Sequence, residues 1–173
     1  AKLPRSYWDW APVLDASERG FFPYTPATNL LFGLDEALSM LLAEGLDQVF
    51  ARHLRLARAT RAAVAGWGFE VYCRDEKAHS PTLTAVLMPQ DHDADQLRQL
   101  ILERFDLSLG TGLGPVQGQL FRIGHLGSIN DLMLCGALCG VEMGLDLAGV
   151  PHRRGGVQAA LEMLATTSGL RKK

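Results

Sequence analysis

Leu30, Leu31, Leu34, Leu38, Leu41 and Leu42 recur at steps of three and four residues, which gathers them on one stripe of a helix. Thr25 ahead of them suits an N-cap, and Pro26 suits the first helical position. Gly45 interrupts the pattern, bending or restarting the helix, and "LDQVFARHLRLARATRAAVAGW" carries it to Gly68. A helical region over residues 28–67 is long for one small domain, and such length suits an interdomain connector.

Beyond Gly68 the period changes. "FEVYC" (69–73) and "TLTAVLM" (82–88) predict strands, and "DADQLRQLILERF" (93–105) predicts a helix capped by Asp93. "DLSLG" and "QLFRIG" predict two short strands around a glycine-rich loop. An apolar helix follows over 129–149, stopped by Gly149 and Pro151. The order β-β-α-β-β-α predicts an α+β fold, a small, mainly antiparallel sheet covered on one face by helices, over residues 68–165. Residues 166–173 read as a frayed tail. Residues 1–27 are rich in proline and aromatics. Trp8, Trp10, Phe21, Phe22 and Tyr24 form either a docking arm or a segment folded back on the domain's own core.

Composition narrows the class. The 173 residues are 47% hydrophobic and 21% charged with a net charge of −2, an ordinary globular balance with no excess of base to seek nucleic acid. Cys73, Cys135 and Cys139 contain no CxxC pair, so neither a disulfide framework nor a zinc knuckle is indicated, and a reducing, cytoplasmic setting fits. No apolar run approaches the roughly 18 residues of a membrane span, and the N-terminus lacks the apolar core of a signal peptide.

Candidate chemistry is sparse. "GTGLGP" (110–115) is not GxGxxG and no helix follows it to receive a phosphate, so it reads as a loop whose glycines let backbone approach a ligand. Cys135 and Cys139 lie four apart on an apolar helix, where buried packing is the commoner role. The five histidines show no HxxxH or HExxH spacing, so no metal site is expected. Arg52, Arg55, Arg58 and Arg61 repeat every three residues and read as a solvated face. Tyr24 and Thr25, at the head of the long helix, could add hydroxyl donors to its free N–H groups and hold a phosphate; an ordinary N-cap competes. Arg122 interrupts the apolar "LFRIGHLG". Alternation turns it away from its neighbours' face, either to water or toward something it holds.

"SYWDW", "GFFPYTPATNLLFGLDEAL", "SPTLTAVLMP", "GTGLG" and "FRIGHLG" with "GVEMGL" resemble, in order and spacing, the C-terminal part of the serine-glyoxylate aminotransferase family. That family belongs to the class V, fold-type I pyridoxal-phosphate enzymes, and the resemblance runs from the first residue to about Leu164. It implies the small C-terminal domain of a homodimeric transaminase that moves the amino group of serine, or alanine, to glyoxylate. Arg122 matches the family's substrate-carboxylate arginine. Thr25, and less securely Tyr24, match positions near the cofactor phosphate of the neighbouring subunit. The family's cofactor-bonding lysine has no counterpart among Lys2, Lys77, Lys172 and Lys173. The resemblance therefore implies a fragment, inactive alone, in which residues 1–27 are a remnant of the large domain and 28–67 a connecting helix region.

Two other readings stay open. A related class V enzyme with a different amino donor would carry the same arginine, because every α-amino acid offers the same carboxylate. A non-catalytic α+β module could instead use Arg122 for an anionic effector.

Overall fold

Asp9 accepts the backbone N–H of Ala11 at 3.1 Å and so caps α1 (Trp10–Glu18) in the computed structural model, which describes residues 3–167. The chain divides into two units, Ala1–Leu46 and Asp47–Lys173. In the first, α2 (Thr28–Glu44) follows α1 and buries none of its residues. Leu30, Phe32 and Leu42 are each more than two-thirds exposed, as are Trp8, Trp10 and Phe21. Thr25 does not cap this helix: the N-cap is Ala27, which makes no side-chain bond. Ala27, with φ of −75° and ψ of 73°, still lies outside the helical region, so the helix starts at Thr28.

Gly45, with φ of +87° and ψ of 131°, takes a positive-φ conformation that glycine alone adopts readily and that ends α2, and α3 (Leu46–Trp67) starts at the next residue. The long helical region is thus two helices. Gly68 at φ +83° ends α3 in the same manner.

The second unit is built on a three-stranded antiparallel sheet in the order β1-β3-β2, with β1 at Leu83–Leu87, β2 at Gly110–Thr111 and β3 at Leu120–Gly124. Thr84, Val86, Phe121 and Ile123 are buried. Val86, Phe121 and Ile123 share one core with Leu56, Val64 and Trp67 of α3. The same core takes Leu97 and Ile101 from α4 (Ala94–Phe105), Leu138 and Val141 from α5 (Asp131–Leu147), and Ala160 and Leu164 from α6 (Gly156–Thr167). Full burial of each large apolar side chain contributes on the order of 1.5–3 kcal/mol. The small antiparallel sheet with its helices is the expected α+β architecture.

Three local expectations change. The strand expected at "DLSLG" (106–110) is instead Gly110–Thr111, inside the stretch read as a glycine-rich loop, because Asp106 takes the left-handed conformation that ends α4 and residues 107–109 lead from it to the sheet edge. Residues 69–73 do not form a strand. Val71 makes a single bridge to Val86, and Glu70 and Tyr72 exchange one backbone bond each with Leu87 and Ala85 before the chain turns into the short helix Glu76–Ala78. Conversely, α6 has no counterpart in the pattern-based reading, although Val157, Ala160, Leu161 and Leu164 carry helical spacing. Most of the expected tail, residues 168–173, lies outside the described residues.

Candidate functional site

Phe121 and Ile123 turn into the core, which sends the intervening Arg122 to the opposite face of β3, between Ala85 of β1 and Gly110 of β2 in register. Its side chain is half-buried. Nε donates to the carbonyl of Thr111 at 2.8 Å. Among the described residues no carboxylate pairs with Arg122 and neither Nη group has a hydrogen-bond partner. A Cβ built on Gly110 would lie 3.0 Å from Arg122 Cβ and 3.1 Å from its Nε, so the arginine crosses the strand where glycine leaves room. The glycine-rich stretch thus meets a side chain of its own sheet. It offers no phosphate cradle, since the short helix Gly114–Val116 is one turn only.

The loop after Arg122 is fixed on both sides. His125 is fully buried: Nδ1 lies 3.1 Å from the Pro81 carbonyl and Nε2 lies 3.0 Å from Thr84 Oγ1. A carbonyl only accepts, so Nδ1 carries the proton and Nε2 accepts from the Thr84 hydroxyl. Burial pushes the imidazole down to about 4, despite the opposing bond to Pro81. His53 on α3 repeats the pattern, with Nδ1 2.7 Å from the Val49 carbonyl and Nε2 accepting the Gly127 N–H at 3.1 Å. Arg52 donates to the Gly127 carbonyl at 2.7 Å, and Arg55 makes a two-pronged bond to Asp131 at the start of α5, at 3.0 and 2.5 Å.

Those arginines correct the solvated-face reading of α3. Arg52, Arg55 and Arg61, which reaches the Ser80 carbonyl at 3.4 Å, are half-buried and engaged, whereas Arg58 alone of the four is exposed. The three-residue step drifts round the helix, and only tertiary structure decides which members meet a partner. Sequence reasoning missed His53 as well; a histidine beside Arg52 on the apolar side of the helix was the available signal.

Tyr24 and Thr25 belong to the other unit and are exposed. The Tyr24 hydroxyl lies 3.1 Å from Ser6 Oγ, and its ring stacks at a tilt on Tyr7 with centroids 5.7 Å apart. α2 begins three residues after Thr25, without a side-chain cap and with no acidic residue in its first turn; the Thr28 N–H is taken by the Pro26 carbonyl at 2.9 Å, which leaves the N–H groups of Asn29 and Leu30 to face an anion.

No family model matches the chain. It is 43% identical over 162 residues to the serine–glyoxylate aminotransferase of Hyphomicrobium methylovorum, a match covering 93% of this chain and 40% of that protein. The chain belongs to the class V aminotransferase family. The L-aspartate–glyoxylate aminotransferase of Paracoccus denitrificans is 39% identical over 174 residues, covering 100% of this chain and 44% of that protein. Among solved structures, the ureidoglycine–glyoxylate aminotransferase of Bacillus subtilis superposes with a TM-score of 0.87 at 28% identity, over 95% of this chain and 43% of that one. The chain therefore spans about two-fifths of the length of the curated aminotransferases it matches. Among the described residues no helix is long and apolar enough to cross a membrane.

Proposed function

We propose that the chain supplies the substrate-carboxylate arginine of a pyridoxal-phosphate-dependent transaminase that moves the amino group of serine, or alanine, to glyoxylate. The products are glycine and hydroxypyruvate, or pyruvate. The observation that carries this reading is Arg122, whose Nε is occupied by the Thr111 carbonyl while its two Nη groups are without a partner among the described residues. Two parallel N–H groups fit a carboxylate. Amino acid and 2-oxo acid both carry that carboxylate, so one arginine serves donor and acceptor alike. Holding it presents the Cα–H of the donor in one orientation, which is the positional part of the catalysis.

Pyridoxal phosphate, when bound, supplies the electron sink for the bond broken at Cα. On this reading Thr25 and Tyr24 meet its phosphate, from the neighbouring subunit of a homodimer. The uncapped, acid-free start of α2 and two exposed hydroxyl residues suit an anion. Lys77, exposed on a short helix, is the one lysine among the described residues and does not suit the bond to the cofactor. The reading therefore takes that lysine from outside this chain and expects the chain alone to be inactive. Residues 1–27 then act as an aromatic arm belonging with a large cofactor domain, 28–67 as the connector and 68–165 as the small domain. The three free cysteines suit a reducing, cytoplasmic setting.

Steady-state rates of the complete enzyme with serine, alanine and aspartate test the donor. Arg122→Ala should raise the KM of every carboxylate substrate; unchanged kinetics would remove Arg122 from the site. The match to an aspartate–glyoxylate enzyme favours one competing reading, the same reaction with a different donor. A cofactor absorbance and turnover by the isolated chain would refute its expected inactivity.

A further inference from the structure

β2 has only two residues, and pairing at two positions is too little to fix an edge strand. Side chains of α4 complete the job. Arg98 donates from Nε to the Leu109 carbonyl at 2.8 Å and from Nη1 to Asp95 Oδ1 at 2.8 Å. The Thr111 hydroxyl donates to the same Asp95 oxygen at 2.7 Å. The Thr111 bond, opposed by burial and joined by Arg98, holds the Asp95 carboxyl below its ordinary range. Thr111 then passes the constraint on, since its carbonyl accepts Arg122 Nε at 2.8 Å.

A guanidinium offers a carboxylate two usable forks, Nε with one Nη, or the two Nη groups together. Occupying Nε removes the first fork and leaves the second. We infer that Thr111 and Asp95 are positioning residues that select the end-on fork of Arg122: the α4 carboxylate anchors the Thr111 hydroxyl, and the Thr111 carbonyl aims the guanidinium. Gly110 belongs to the same device, because its missing Cβ lets Arg122 lie across the strand. The inference rests on the carboxylate-binding role proposed for Arg122.

The test uses the complete enzyme with its cofactor and the variants Thr111→Val, Thr111→Ser, Asp95→Asn, Arg122→Ala and the double variant Thr111→Val/Arg122→Ala. Thr111→Val and Asp95→Asn should raise the KM of serine and glyoxylate by about 3- to 10-fold, the scale of one hydrogen bond, with kcat little changed. Thr111→Ser keeps the hydroxyl and should stay near the parent. The half-reaction with 2-aminoethanol, which is serine without its carboxylate, should be unaffected by Thr111→Val. In the Arg122→Ala background Thr111→Val should add nothing. Equal damage with 2-aminoethanol, or a full further loss in that background, overturns the inference in favour of general structural damage. Normal KM values in Thr111→Val and Asp95→Asn beside a raised one in Arg122→Ala overturn it while sparing the carboxylate role. Normal KM values in Arg122→Ala overturn both.

Discussion

The Trp67 indole N–H meets Glu142 Oε2 at 2.8 Å, tying the end of α3 to α5. The same carboxylate accepts the backbone N–H groups of Gly155 at 3.1 Å and Val157 at 2.9 Å, so a side chain of α5 caps the start of α6. Replacing Glu142 by Ala leaves the buried indole and two backbone donors without acceptors. The expected loss is about 2–3 kcal/mol in urea unfolding at pH 7, with Glu142→Gln losing less.

Burial alone raises the Glu142 carboxyl, but the bonds from Trp67, Val157 and Gly155 outweigh it and hold it below its usual 4.5. A folded value below the unfolded one means that the group's stabilisation is complete above pH 4.5. It is lost as pH falls through the lower folded value. The acid limb of the stability profile should therefore flatten in Glu142→Gln, and an identical limb in both proteins would contradict this role.

His125 has the same sign for a different reason. Its ordinary value of 6.5 is lowered to about 4 chiefly by burial, so folding favours the neutral ring. Stability from this group is full above 6.5 and declines as pH drops toward 4. Nitrogen-15 NMR at pH 6 should find His125 neutral with the proton on Nδ1, facing Pro81; a protonated ring at that pH would refute the assignment.

Charge alone is insufficient at position 122 if the end-on fork is what binds. Arg122→Lys keeps a cation but loses the planar pair of donors. It should recover only a minor part of the roughly 2–4 kcal/mol of transition-state binding expected to be lost in Arg122→Ala, read from kcat/KM.

Glycines of α5 differ in what surrounds them. A Cβ at Gly144 would fall 2.3 Å from Ile101 Cγ1, whereas one at Gly136 meets nothing within 4 Å. Gly144→Ala should destabilise by about 1–3 kcal/mol through overpacking against α4. Gly136→Ala should stabilise by about 0.5–1 kcal/mol through helix propensity. Thermal unfolding of the pair should move in opposite directions.

What could be read in advance follows the range of the forces involved. Asp93 caps α4 through bonds to Asp95 and Gln96, all within a few residues, and the helix falls where the sequence predicts. α6 escaped because its cap is Glu142 on another helix, and residues 69–73 were overread because only Val71 bridges the sheet. Thr25 looked like a cap, but the chain stays outside the helical region through Ala27, which takes that place. Arg122 was legible as a charge out of place in an apolar strand. Its dependence on Thr111, and through it on Asp95, is a tertiary fact with no local signature.

The brevity of β2 has a second consequence. A sheet edge long enough to lay out a row of free N–H and C=O groups invites a strange strand to add itself, and two residues lay out almost none. Arg122 can therefore stand on the strand next to this edge without that edge offering a template for fibrous self-association.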